Sequence, residues 1–304
     1  MAGGGDGGVE AFVLGDAELA AFDGLGHGGQ CGVGYGQTGP WAARPGYDAI
    51  AQAQSGMMSI TGEPGGPPMR PGVATADIGA GMWAAIGILA ALHARRSTAR
   101  GQHVDISPLD GQLAWLTYVA GGYFTTDTVP GPHGSAHPTI VPYQALSTAD
   151  GHLMVAAGND KLWRTFAELL GERTLSDDPR FATNPERVRH RQELIPLLEA
   201  ALARRASTEW AEALDAAGVP CAPISTVEQA LTSPQAVARE MVSVLRHPTA
   251  GELRTVGSPP KLSASPVQIR TAPPLLGQHT DDVLAETGYS VREIEELRAT
   301  GAVR

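Results

Sequence analysis

Cysteine is almost absent: Cys31 and Cys221 are the only two in 304 residues. That excludes a disulfide framework, and neither residue sits in a metal-holding spacing; a reducing, cytoplasmic setting is the simplest expectation, with no metal. Basic residues are few as well, 22 against 32 acidic ones, for a formal net charge of −10. Such a balance argues against a nucleic-acid partner, which needs a basic footprint. The opening MAGGGDGGVE has neither a basic start nor an apolar stretch, so no secretory leader is expected. The longest apolar run lies within RPGVATADIGAGMWAAIGILAALHARR, residues 70–96, where glycines interrupt it and His93-Ala94-Arg95-Arg96 closes it. This is short for a bilayer span and predicts a core helix, with no membrane partner. What remains is 42% hydrophobic and 18% charged, the balance of a soluble globular enzyme with a sizeable core.

Within that run stands a lone carboxylate, Asp77. Asp near the start of an apolar helix is most often a cap, its oxygens accepting free N–H groups of the first turn. The same place suits a functional carboxylate, because a helix N-terminus keeps an acid ionised and held. Gly79, Gly81, Gly87 and a series of alanines leave room for close approach of backbone or ligand. Met82, Trp83, Ile86, Ile88, Leu89 and Leu92 make the helix apolar nearly all round, which predicts burial.

Residues 1–32 are Gly-rich and without a period, and read as a loose lead-in. GQHVDISPLDGQLAWLTYVAGG predicts a short strand at Val104–Ile106, then a helix from Pro108 that Gly121 stops. VPGPHGSAHPTIVPYQ is a Gly/Pro loop. GHLMVAAGND predicts a strand ending at Gly158, with Asp160 opening an amphipathic helix. Further helices are expected at 192–204, 208–217, 226–232 with a capping box of Ser225 and Glu228, and 291–299 with Ser290, Glu293 and Gly301 as its signals. Strands alternating with helices favour an α/β architecture. Two tempting patterns are set aside. Gly34-Tyr-Gly36-Gln-Thr-Gly39 matches a dinucleotide fingerprint by letter, but Pro40 and Trp41 follow where a helix should start. His133 and His137 sit among Gly134 and Pro138 and share no helix face as a zinc pair would.

From Gly34 onward the chain resembles the family III CoA-transferases, a superfamily that includes formyl-CoA transferase, carnitine CoA-transferase and alpha-methylacyl-CoA racemase. The matching stretches are GYGQTGPW, RPGYDAIAQAQSGMMSITGEPGGPP, ADIGAG with GILAALHAR, GQHVDISPLDG, SAHPTIVPYQAL, GNDKLW, GVPCAPISTVEQAL, HPTAG, GSPPKLSASP and LGQHTDDVLAETGYS, in that order. The resemblance implies that Asp77 is the catalytic residue, that Tyr47 lines the acyl-CoA site, and that Gly134, Ser135, Ala136 and His137 form a substrate loop with fewer glycines than formyl-CoA transferase has. It implies a substrate rather than a resident cofactor: a coenzyme A thioester, whose CoA passes to a carboxylic acid. A carboxylate suits that task, because its attack on a thioester gives a mixed anhydride and then an aspartyl-CoA thioester of similar reactivity. Each step passes through an oxyanion that loop N–H groups are placed to stabilise.

The racemase alternative needs a His and a downstream Glu where this chain has Tyr47 and Asn159. Tyr has a reference pKa of about 10 and Asn does not titrate, so transferase is favoured. The resemblance also implies an incomplete parallel-sheet, Rossmann-like large domain at 33–133, a smaller α/β domain at 140–230, and a C-terminal segment at 248–304 returning to the large domain. It implies an interlocked homodimer or a complementary subunit. The family's N-terminal nucleotide-binding part is not recognisable in residues 1–32, and a non-catalytic, truncated or regulatory subunit is a third reading.

Overall fold

The computed structural model describes residues 12–14, 19–21 and 33–304, which form two compact units, Met1–Pro223 and Ile224–Arg304. In the first unit, strands β1 (Phe12–Leu14) and β2 (Leu19–Ala21) arise within the segment read as a loose lead-in; the rest of that segment lies outside the described residues. Helices α1 (Asp48–Gln54) and α2 (Thr75–Thr98) follow, then strand β3 (His103–Val104) and helices α3 (Pro108–Trp115) and α4 (Thr117–Thr126). The Ser107 hydroxyl caps α3 by accepting the Asp110 N–H at 3.1 Å, with Pro108 at the first helical position as expected.

Helix α2 is seated by what it lacks. Its buried positions are Ala76, Gly79, Ala80, Ala84 and Ala91, so neighbouring elements approach its backbone closely. A Cβ at Gly79 would stand 3.0 Å from the Trp115 indole, and one at Gly111 of α3 would stand 3.0 Å from the Trp83 indole, so each helix gives the other a glycine to receive a ring. The large apolar residues face away: Ile78, Met82, Ile86 and Leu89 are all exposed, Leu89 by 66%. This corrects the expectation of a helix buried all round. Small residues set the contact face, and hydrophobic composition alone does not say that the remaining face is covered. The helix also runs on through Thr98, 24 residues that meet the length and composition for crossing a bilayer, as the core helices of soluble proteins also do.

The second part of this unit holds strands β4 (Tyr143–Ser147) and β5 (His152–Ala156), then helices α5 (Asp160–Leu169), α6 (Arg173–Asp177), α7 (Asn184–Arg189), α8 (Arg191–Leu202) and α9 (Ser207–Ala216), and strand β6 (Cys221–Pro223). The sheet has the order β4-β5-β6, with Leu146 opposite Leu153 and Val155 opposite Cys221. Leu146, Leu153 and Val155 meet Trp163, Phe166, Leu198 and Leu214 in one buried core, each such side chain contributing roughly 1.5–3 kcal/mol. Asn159 caps α5 by accepting the Leu162 N–H at 2.9 Å.

The mixed α/β class holds, but every strand pair among the described residues is antiparallel, including β2-β1-β3. Parallel pairing needs several strands joined by crossovers, and residues 34–133 supply only the two-residue β3. Two boundaries also differ from expectation, the first being that of β3, which is His103–Val104 rather than Val104–Ile106. Gly121 does not end a helix: the chain breaks after Trp115 and resumes as α4 straight through Gly121 and Gly122.

The second unit comprises α10 (Val227–Thr232), α11 (Pro234–Ala238), a hairpin of β7 (Val242–His247) and β8 (Gly251–Val256), α12 (Thr280–Glu286) and α13 (Val291–Ala299). The capping box of α10 is Thr226 with Gln229, one residue beyond the expected Ser225 and Glu228. That of α13 is Ser290 with Glu293, as read. In the hairpin turn, His247 Nδ1 accepts N–H groups from Thr249 and Ala250.

Candidate active site

The reacting end is built where α1 meets the start of α2. The chain at Gly34 crosses the chain at Gly46 so closely that a Cβ on Gly46 would stand 2.5 Å from the Gly34 Cα. This crossing fixes the entry to α1, whose N-cap is Tyr47, with its carbonyl accepting the N–H groups of Ile50 at 2.9 Å and Ala51 at 3.0 Å. The Tyr47 side chain is 62% exposed. Next to it, Asp48 reaches across 28 residues of sequence: Oδ1 accepts the Ala76 N–H at 2.8 Å, and Oδ2 accepts the Gln52 amide at 2.7 Å.

That bond overturns the capping reading of Asp77. The cap residue of α2 is Ala74, which has no side chain to donate or accept, and the first-turn N–H of Ala76 is served by Asp48 from another helix. Asp77 lies in the first turn, exposed, with no hydrogen bond to its carboxylate among the described residues. Partial burial, and secondly the Asp48 carboxylate, push its pKa above the ordinary carboxylate value. An unbonded carboxylate in the positive field of a helix N-terminus has its lone pairs available for attack. Sequence reasoning missed Asp48, whose only signal was its place directly after Tyr47.

The Gly134–His137 loop is held from several sides. Gly134 adopts φ 60°, a left-handed backbone that favours glycine, and its N–H donates to the Gly62 carbonyl at 2.8 Å; a Cβ there would also meet the end of the Glu63 side chain at 2.8 Å, which would have to shift. The Ser135 hydroxyl accepts the Ala145 N–H at 3.1 Å, the Ala136 N–H donates to His133, and the His137 N–H donates to Tyr143. The His137 ring stacks between Tyr143, at 5.4 Å, and Tyr118, at 6.1 Å. Its Nδ1 accepts the Thr139 N–H, which leaves the ring proton on Nε2.

The expected residues therefore form two groups in one unit. Tyr47 and Asp77 are brought together through the Asp48–Ala76 bond; Gly134 to His137 gather against Gly62, Glu63 and Tyr118. Among the described residues no hydrogen bond or ring contact joins the groups directly, but the Gly62–Glu63 turn on which the loop rests leads along the chain into α2.

An unbonded carboxylate on the first turn of a helix has the chemistry of a nucleophile. Residues 31–280 match the family model of CoA-transferase family III, and the chain belongs to that family. It is 38% identical over 272 residues to the mouse succinyl-CoA:glutarate CoA-transferase, covering 89% of this chain and 62% of that protein. It is 40% identical over 255 residues to the succinate–glutarate CoA-transferase of Agrobacterium fabrum, covering 84% and 64%. The crystal structure of a CAIB/BAIF family protein from Brucella suis superposes with a TM-score of 0.74 at 37% identity, covering 84% of this chain and 66% of that one. The chain thus spans about three fifths of the length of these curated relatives.

Proposed function

We propose that the protein is the part of a CoA-transferase that carries the nucleophile, and that it moves CoA from an acyl-CoA donor to a carboxylic acid. The observation that carries this reading is Asp77: a carboxylate on the first turn of α2 whose would-be capping bond is made instead by Asp48. Asp77 attacks the thioester carbonyl and expels CoA thiolate, leaving an acyl–aspartyl anhydride. The thiolate attacks the aspartyl carbonyl of that anhydride, which releases the first acid and leaves an aspartyl-CoA thioester. The acceptor carboxylate attacks this thioester and forms a second anhydride with release of CoA thiolate. Attack of the thiolate on the acceptor's carbonyl gives the new acyl-CoA and restores the Asp77 carboxylate. In a serine protease one oxyanion donor is worth about 2.7–4 kcal/mol, which sets the scale for a donor to these oxyanions.

Racemisation is disfavoured by Asn159, whose oxygen is spent as the cap of α5, and by Tyr47, neither of which is a base near neutral pH. The names of the relatives support a dicarboxylic acid acceptor of the succinate–glutarate kind. The partner is a second copy of the chain or a complementary subunit, as the exposed apolar row on α2 suggests. The test is to incubate the protein, alone and with such a subunit, with succinyl-CoA and hydroxylamine, and to map the adduct. A hydroxamate at Asp77 is expected; CoA transfer to glutarate with Asp77 unmodified would refute the mechanism.

A further inference from the structure

Three side chains spaced along one side of α7 and α8 take hold of a single strip of backbone. The Asn184 amide donates to the Thr139 carbonyl at 2.8 Å, and its oxygen accepts the Val141 N–H at 3.1 Å. Arg187, wholly buried, donates through Nε to the Val141 carbonyl at 2.6 Å, and it is braced by the Phe181 carbonyl and Asp160. One turn further on, Arg191 donates to the carbonyls of His137 and Pro138. The three grip residues 137–141, and the strip they grip is the trailing end of the Gly134–His137 loop.

The rungs are not equivalent. Arg187 is wholly buried, and each of its guanidinium nitrogens has a partner: the Val141 carbonyl, the Phe181 carbonyl and Asp160. Arg191 is half-buried, and its Nε is buried without a partner, so its guanidinium is committed to the loop carbonyls rather than to a complete network of its own. At the loop itself, the N–H groups of Gly134, Ala136 and His137 are spent on Gly62, His133 and Tyr143. Of these four residues, Ser135 alone has an N–H without an acceptor among the described residues.

We propose that Arg191 is a positioning residue for CoA transfer: by holding the His137 and Pro138 carbonyls to α8 it fixes the loop so that the Ser135 N–H is the donor left for the acyl oxyanion. This rests on the transfer reading above. A donor that is fixed before the charge develops needs no reorganisation at the moment of reaction, which is where such groups have most effect. A charged hydrogen bond to a carbonyl is strong enough for its loss to be felt along the adjoining loop.

Two measurements on the 304-residue protein test this, using wild type, Arg191→Met and Arg191→Lys. In the first, amide exchange at Gly134, Ala136 and His137 is expected to quicken about tenfold in Arg191→Met, with the core amides of Leu153 and Val155 unchanged; Arg191→Lys recovers part of the protection. In the second, the rate of succinyl-CoA-dependent hydroxamate formation at Asp77 falls about tenfold in Arg191→Met, without a change in the succinyl-CoA concentration for half-maximal rate. Unchanged loop exchange in Arg191→Met, or loosening of Leu153 and Val155 along with the loop in both variants, overturns the proposal. So does equal trapping in all three proteins. If wild type is never trapped, alone or with a complementary subunit, the transfer reading falls, and the exchange data alone then decide whether Arg191 anchors the loop.

Discussion

Asp48 and Asp77 begin two different helices, and the carboxylate of the first both caps the helix of the second and raises the pKa of Asp77. Burial is the larger cause and Asp48 the smaller. Only the ionised Asp77 attacks a thioester, so trapping at Asp77 should fall away as the pH drops through a midpoint above the ordinary carboxylate value. Asp48→Asn keeps an oxygen for the Ala76 N–H, and the buried, unpartnered Gln52 Oε1 can turn to accept from the new amide. The midpoint should therefore move down in this variant, while staying above the ordinary value because burial persists. A pH profile of trapping in the two proteins checks both statements.

The same raised pKa acts on stability with a defined sign. Between the ordinary and the raised value the folded state holds more protons at Asp77 than the unfolded chain does, so this group makes stability fall as the pH rises through that window. Asp77→Asn should remove that slope, as read by thermal unfolding across mildly acidic pH.

Replacing Asp77 should abolish transfer at little cost to the fold. A true cap residue would cost about 0.5–2 kcal/mol on substitution by Ala. Because Asp48 makes the bond to the first turn of α2, Asp77→Ala should cost less than about 0.5 kcal/mol, the scale of ordinary surface changes. Denaturant unfolding beside the trapping assay separates the two effects.

Gly46→Ala should be costly. Its Cβ would fall 2.5 Å from the Gly34 Cα, a backbone atom that cannot swing aside. Overpacking of this kind costs about 1–3 kcal/mol, and here it displaces the entry to α1, with Tyr47 and Asp48 on it. Thermal unfolding should show the loss, and the acid midpoint of Asp77 trapping should shift with it.

The exposed row of Ile78, Met82, Ile86 and Leu89 should make the purified chain self-associate or take up a partner. Sedimentation velocity is expected to show species larger than a single chain, and Met82→Glu with Leu89→Glu to reduce them. A compact monomer for wild type would contradict this.

Local chemistry was legible in the sequence wherever a short-range signal decided it. Ser290 and Glu293 lie three residues apart and cap their own helix, and Pro108 opens α3. The Gly121 stop failed because a glycine costs a helix only about 1 kcal/mol, and α4 carries two in open space. The role of Asp48 was out of reach because its partner is 28 residues away. Hydrophobic content likewise marked α2 without saying which side is buried; that follows from the spacing of its small residues against α1 and α3.

The mutual seating of Trp115 on Gly79 and Trp83 on Gly111 has a thermodynamic consequence for whatever covers the other side of α2. Neither helix can slip along the other without driving an indole into a side chain, so the row from Ile78 to Leu89 is presented on a rail that is already ordered. The backbone freedom that a less ordered docking segment would surrender on association is here given up during folding, while the exposed side chains keep their rotamers until they are covered. Binding to this side of the helix should accordingly carry a heat-capacity change set by the apolar area it buries, with little added contribution from ordering of the backbone.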